Sequence, residues 1–195
     1  MIDSSTIDVG SAQAVHEAAK SAGFNMIDAP VSGGVIGADA GTLTFMCGGD
    51  KESFEKAKPI LQGMGKNIVH CGSGGLGQAT KICNNMLAGI NALAAAEAMT
   101  MGERLGVSPD ILYEVISTST GRSYIFETSN PMPDVCSTSP ANNKFKPGFM
   151  AKLMLKDLRL SQAAAQDAKT STPLGAAVTA AFQQLIDSGF GDLDT

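Results

Sequence analysis

Apolar positions change rhythm once along this chain. Up to about Cys71, short apolar runs alternate with amphipathic stretches. "AQAVHEAAKSAG" sets Val15, Ala18 and Ala19 at helical spacing and ends on Gly23, which predicts a helix with a glycine stop. "FNMIDAP" predicts a strand closed by Pro30, "TLTFMCGG" a second strand and "NIVHCG" a third, with "SFEKAKPILQGMG" as a helix interrupted at Pro59. The opening "MIDSSTIDVG" passes from apolar into Ser and Thr, as a strand does on entering a loop. After Gly77 the strand signals stop. Gln78 to about Leu105 is one run of good helix formers without proline, apolar on nearly every side, which predicts a long buried helix. Ser108-Pro109 predicts an N-cap and first-turn proline for the helix "DILYEVIST". Thr120 to Pro147, rich in Ser, Pro and Asn, reads as an extended loop with room for one short helix. "FMAKLMLKDLRLSQAAAQDA" is again helical, and Thr172-Pro173 opens a last helix ending near Gly189. The predicted architecture is an α/β portion over residues 1–72, followed by an all-α portion over residues 73–195 built on the long buried helix.

A chain of 195 residues can bury roughly 70% of the surface its unfolded form exposes, enough for a real core. A net charge of -5, no Trp and no cluster of Lys or Arg argue against a nucleic-acid partner. The longest apolar stretch, Met86 to Met101, carries Asn91 and Glu97 and falls short of the roughly 20 apolar residues that span a bilayer, so no membrane partner is expected. Cys47, Cys71, Cys83 and Cys136 lack C-x-x-C spacing, and His16 and His70 do not fall at metal-ligand intervals. No metal site is expected, and the cysteines read as reduced thiols. The first ten residues lack the basic and apolar regions of a secretory signal.

The candidate chemistry lies in two glycine-rich segments. In "GSGGLGQATKICNN", Gly72, Gly74 and Gly77 spell G-x-G-x-x-G, the fingerprint of a dinucleotide loop. That fingerprint needs a second parallel strand ending in an acidic residue about 20 positions on. Here the chain stays helical through Glu97, so these glycines do not read as a pyrophosphate cradle. The unusual feature is instead polar: Lys81 and Asn85 stand i, i+4 on one face of an otherwise apolar helix, with Asn84 beside them. A lysine in the first turn faces the positive end of the helix dipole, and burial acts in the same direction; both favour the neutral amine that a general acid/base needs. The alternative is a lysine at a frayed helix end with its head in water. In "DAPVSGGVIGADAG", Ser32, Gly33 and Gly34 combine a hydroxyl with approachable backbone N–H groups, suited to a carboxylate or phosphate, or else form an ordinary turn.

Four segments together, "DAPVSGGVIGADAGTLTFMCGG", "GSGGLGQATKICNNML", "TSPANNKFKPGF" and "LMLKDLRLSQ", resemble the β-hydroxyacid dehydrogenases, most closely the branch acting on 3-hydroxyisobutyrate. The resemblance covers essentially the whole chain in order. It implies that residues 1–72 are the C-terminal part of a Rossmann domain and residues 73–195 a helical substrate and dimerisation domain. The family's cofactor fingerprint would then lie before Met1, leaving the isolated chain weak or inactive. By the same resemblance Lys81 takes the proton of the substrate 3-hydroxyl as hydride passes to NAD, or NADP, and Asn85 holds the hydroxyl or carboxylate. Ser32, Gly33 and Gly34 bind the substrate carboxylate, while Thr6 and Lys156, with Phe149 and Asp157 nearby, contact the cofactor. Also implied are a small hydroxyacid substrate, a homodimer or homotetramer formed through the helical domain, and a place in valine breakdown, in the mitochondrial matrix of a eukaryote or the cytoplasm of a bacterium. A phosphosugar substrate would call for more Arg and Lys than the motifs carry. A related short-semialdehyde reductase and a non-catalytic oligomerisation module remain as alternatives.

Overall fold

In the computed structural model, which describes residues 1–195, strand β1 (Ile2–Asp3) leads through the Thr6 loop into helix α1 (Val9–Ser21). Asp8 caps that helix, its carboxylate accepting the Ser11 N–H at 2.7 Å. Strand β2 (Ile27–Asp28) then runs parallel to β1, pairing Ile2 with Ile27 and Asp3 with Asp28. The intervening helix is the crossover that parallel neighbours require. As expected, β2 stops before Pro30; a separate strand β3 (Val31–Ser32) follows, and the Pro30 carbonyl accepts the Met46 N–H at 3.0 Å.

After helix α2 (Gly34–Asp39), strand β4 (Leu43–Gly48) returns antiparallel to β2 and β3. Helix α3 (Lys51–Leu61) carries the chain over to β5 (Gly65–Gly72), which lies parallel to β4. The expected interruption at Pro59 does not occur. The helix stops two residues later, and the carbonyl that the proline leaves without a donor belongs to the exposed Glu55. Across the five-stranded sheet, Asp3, Asp28, Gly48 and Gly72 stand in one register row. Ile27, Leu43, Phe45 and Cys47 of the strands, with Ala29 just past β2, pack on Phe54, Ala57 and Leu61 of α3. Each large side chain among them contributes about 1.5–3 kcal/mol on burial.

The remainder is helical, as the loss of strand signal predicts. Helix α4 (Leu76–Arg104) is 29 residues long, about 43 Å. Its burial follows one stripe through Gln78, Lys81, Ile82, Asn85, Ala95 and Met99, while Leu87 and Met101 stand exposed. Helices α5 (Pro109–Ser117), α6 (Tyr124–Thr128), α7 (Ala151–Asp167) and α8 (Pro173–Leu185) follow, with a 3₁₀ turn at Pro140–Asn143 and a π turn at Ile186–Phe190. Ser108 with Pro109 and Thr172 with Pro173 hold the N-cap and N1 positions expected of them. No helix is long and apolar enough to cross a membrane.

The chain divides into two compact units, one of Met1–Asn84 with Leu160–Ser171 and one of Asn85–Arg159 with Thr172–Thr195. The core of the first is the sheet cluster. In the second, Met154, Leu155 and Leu158 pack on Val178 and Phe182, and a separate cluster joins Ala95, Met99 and Phe126.

Candidate active site

The turn that precedes α4 is built around a buried carboxylate. Strand β5 ends at Gly72, and the chain passes through Ser73, Gly74 and Gly75 into the helix. Asp28, 1% exposed, accepts the Gly75 N–H on Oδ1 at 2.8 Å and the Gln78 N–H on Oδ2 at 3.0 Å. His16 Nε2 of α1 sits 2.8 Å from the same Oδ1. The glycines are spacing devices. A Cβ on Gly74 would fall 2.5 Å from the His16 ring, one on Gly75 2.8 Å from Gln13 Cγ, and one on Gly48 2.5 Å from Asp28 Oδ1. The protein's own carboxylate thus takes the place an anion would occupy at this helix N-terminus. The match at Gly72, Gly74 and Gly77 is a packing motif and not a pyrophosphate cradle.

This geometry corrects one part of the case for Lys81. The helix starts at Leu76, so Lys81 stands in its second turn and not its first, and Asp28 already balances the positive helix end. The dipole argument lapses, and what stands is that the side chain is buried. Lys81 is 7% exposed, which also excludes a frayed-end lysine with its head in water.

Asn85, one turn further along α4, is buried and donates from Nδ2 to Asp157 Oδ2 at 2.5 Å. A carboxylate only accepts, so Asp157 fixes which end of the amide faces it. The other oxygen of Asp157 lies 2.9 Å from Nζ of the half-exposed Lys156. Asp157 therefore joins two residues singled out from the sequence, Asn85 and Lys156. Phe149 packs at the edge of the second unit's core, and its N–H donates to Asp194 at 2.9 Å. Ser32 ends β3, half-buried and paired in register with Thr44. Gly33 and Gly34 follow with φ of 134° and 60°, which L side chains rarely adopt, and both are exposed at the start of α2. Thr6 lies between Ser5, whose carbonyl accepts Gln78 Nε2 at 2.7 Å, and Ile7, whose N–H donates to Gln78 Oε1 at 3.2 Å.

Asp28, His16 and Gln78 escape the reading of motifs. Asp28 leaves one signal, an acidic residue inside an apolar strand run. Gln78 sits in the same polar helix start as Lys81, but its partners, Ser5 and Ile7, lie 73 and 71 residues away.

The sheet, with its parallel crossovers, is followed by helices, and a buried lysine and a buried amide stand one turn apart on α4. Residues 1–72 match the family model described as the NAD binding domain of 6-phosphogluconate dehydrogenase, and residues 75–195 match that described as the NAD-binding domain of NADP-dependent 3-hydroxyisobutyrate dehydrogenase. The chain belongs to the β-hydroxyacid dehydrogenase family.

Within that family the chain is 44% identical over its whole length to an NAD-dependent L-serine dehydrogenase of Pseudomonas aeruginosa, of which it covers 65%. It is 49% identical over 90% of its length to a 3-hydroxyisobutyrate dehydrogenase of the same organism, covering 59% of that protein. Among solved structures, the Mycobacterium tuberculosis 3-hydroxyisobutyrate dehydrogenase with L-serine superposes with a TM-score of 0.93 at 46% identity, over 99% of this chain and 66% of that one. The chain thus spans about three fifths to two thirds of the length of the proteins it resembles.

Proposed function

We propose that the complete gene product oxidises a short β-hydroxyacid with NAD(P)⁺ as hydride acceptor, with 3-hydroxyisobutyrate the preferred substrate. The observation that carries this reading is the pair on α4, a buried lysine and, one turn on, a buried amide held by a buried carboxylate. A carbinol carbon releases hydride only as its hydroxyl proton leaves, so the proton acceptor must be aligned beforehand. Lys81 takes that proton, in a setting that keeps bulk water from competing. Asn85, oriented by Asp157, holds the hydroxyl or carboxylate. The Ser32 hydroxyl and the N–H groups of Gly33 and Gly34 bind the carboxylate.

The residues present fit the nicotinamide end of the cofactor. Thr6 lies in the loop leaving the carboxyl end of a parallel strand, the edge at which open α/β sheets take ligands. Lys156, 47% exposed and anchored on Asp157, offers a cation to an anionic group, and Phe149 is read as a further apolar contact. When bound, NAD(P)⁺ supplies the site that accepts hydride.

L-serine is the competing substrate, because one relative is named an L-serine dehydrogenase. Serine and 3-hydroxyisobutyrate share a carboxylate and a primary β-hydroxyl and differ at the α-carbon, ammonium against methyl. Relatives named 3-hydroxyisobutyrate dehydrogenase, at 42–49% identity, support the methyl-bearing acid. A role in valine breakdown follows from that substrate. A mitochondrial site would apply in a eukaryote, as the Drosophila melanogaster and Dictyostelium discoideum relatives are named mitochondrial, and the cytoplasm in a bacterium. The helical portion would form the homodimer or homotetramer.

The test is kcat/KM for both acids with NAD⁺ and with NADP⁺. The reading expects 3-hydroxyisobutyrate to be favoured by about tenfold or more, the discrimination a pocket draws from one small group. Preference for L-serine would move the protein to the serine branch, and inactivity on every short hydroxyacid would leave the oligomerisation module.

A further inference from the structure

We propose that Gln78 is a positioning residue for proton transfer, holding the Thr6 loop and Lys81 in fixed relation; the inference rests on the site reading given above. Gln78 has no exposed surface, and both ends of its carboxamide are used on one target. Nε2 donates to the Ser5 carbonyl at 2.7 Å and Oε1 accepts the Ile7 N–H at 3.2 Å, so the amide bridges the residues on either side of Thr6. Its backbone is fixed as well, since its N–H donates to Asp28 Oδ2 at 3.0 Å. Asp28 is in turn held by His16 and by Gly75, and it lies in the register row that joins β1, β2, β4 and β5.

Gln78 and Lys81 are three residues apart on one helix and share its buried stripe. A helical turn is stiff, so whatever fixes Gln78 against the sheet also fixes the Cα of Lys81. The loop that carries Thr6 runs from the end of β1 at Asp3 to the start of α1 at Val9. The carboxamide of Gln78 ties that loop to the lysine's helix. Gln is suited to this task because it donates and accepts through one rigid planar group, which no apolar residue of similar length can do. Burying it without both partners would be costly, so the loop and helix are held in a single arrangement.

The test uses Gln78→Met in the complete gene product, with similar length and neither hydrogen bond, and Gln78→Asn, one methylene too short to reach the loop. Hydrogen exchange at the Ile7 amide reads the tie without activity, and should accelerate by about tenfold or more when the bond is lost, while Ile82 in the helix stays protected. Misplacing the lysine relative to the loop should lower kcat by about 10–100-fold with little change in KM, and raise the deuterium isotope effect on kcat as hydride transfer becomes limiting. Faster exchange at Ile7 with unchanged kcat and isotope effect would make Gln78 a brace only and overturn the proposal. Unchanged exchange in a folded variant would overturn the tie itself. If the Met variant does not fold, the Asn variant decides between the same outcomes. A wild-type protein inactive on every hydroxyacid would refute the functional reading instead, while the exchange measurement still reports on the tie.

Discussion

Replacing Asp28 by Ala should be among the most damaging single changes in the first unit. The carboxylate is 1% exposed and accepts from His16 Nε2, Gly75 N–H and Gln78 N–H at 2.8, 2.8 and 3.0 Å. Two backbone donors and one ring nitrogen are then left without their acceptor, and buried groups so deprived cost about 1–3 kcal/mol each. Partial relaxation brings the sum to about 3–5 kcal/mol, the range seen when one member of a buried charged network is removed. Asp28→Asn separates the contributions. An amide oxygen at the Oδ1 position keeps His16 and Gly75, while its NH₂ meets the Gln78 N–H, so this variant should lose about 2 kcal/mol. Urea unfolding of the two variants beside wild type measures both quantities. A loss below about 1 kcal/mol for Asp28→Ala would refute the account of the glycine turn, since it would mean the helix end is capped equally well by water.

Other consequences can be checked independently. Burial, followed by the nearby Cys71 and Asp28, pushes the Cys47 thiol up to about 12. The folded state therefore keeps a proton that the unfolded chain gives up, so this contribution is complete below about pH 9 and is lost as pH rises towards about 12. Unfolding curves at increasing alkaline pH should show that decline, with Cys47→Ala flattening it. Thiol labelling at neutral pH should reach the exposed Cys83 and spare Cys47. Asp157→Ala frees the Asn85 amide and removes the anchor of Lys156, so kcat should fall by about 10–100-fold through misorientation. Unchanged steady-state kinetics would show that Asn85 needs no such support.

Much of the fold was legible because it rests on local signals. The strand runs of the first portion, the absence of strand signal after Gly77 and the Ser-Pro and Thr-Pro helix starts all act within a few residues. The errors are also local in origin. Pro59 read as an interruption, yet it sits near the helix end and α3 runs on to Leu61, and Lys81 read as a first-turn residue, yet α4 begins at Leu76. Of the candidate site, the placing of Lys81 and Asn85 on one face of a helix was legible from their spacing. Lys81 and Asn85 stand out as polar residues on one apolar helix. What holds them is not a local property: Asp28 meets Gln78 across 50 residues and Asp157 meets Asn85 across 72. Such partners follow from sheet register and helix packing, which periodicity does not specify.

The central claim is that Lys81 moves the proton of the substrate hydroxyl. Its most direct test is the pH dependence of kcat for 3-hydroxyisobutyrate oxidation by the complete gene product, wild type beside Lys81→Ala, with unfolding midpoints and NADH binding measured on both. The account predicts that the variant folds and binds the cofactor while kcat falls by about a hundredfold or more and the acidic limb of the wild-type profile disappears. A folded variant that retains wild-type kcat and the same pH profile would contradict it.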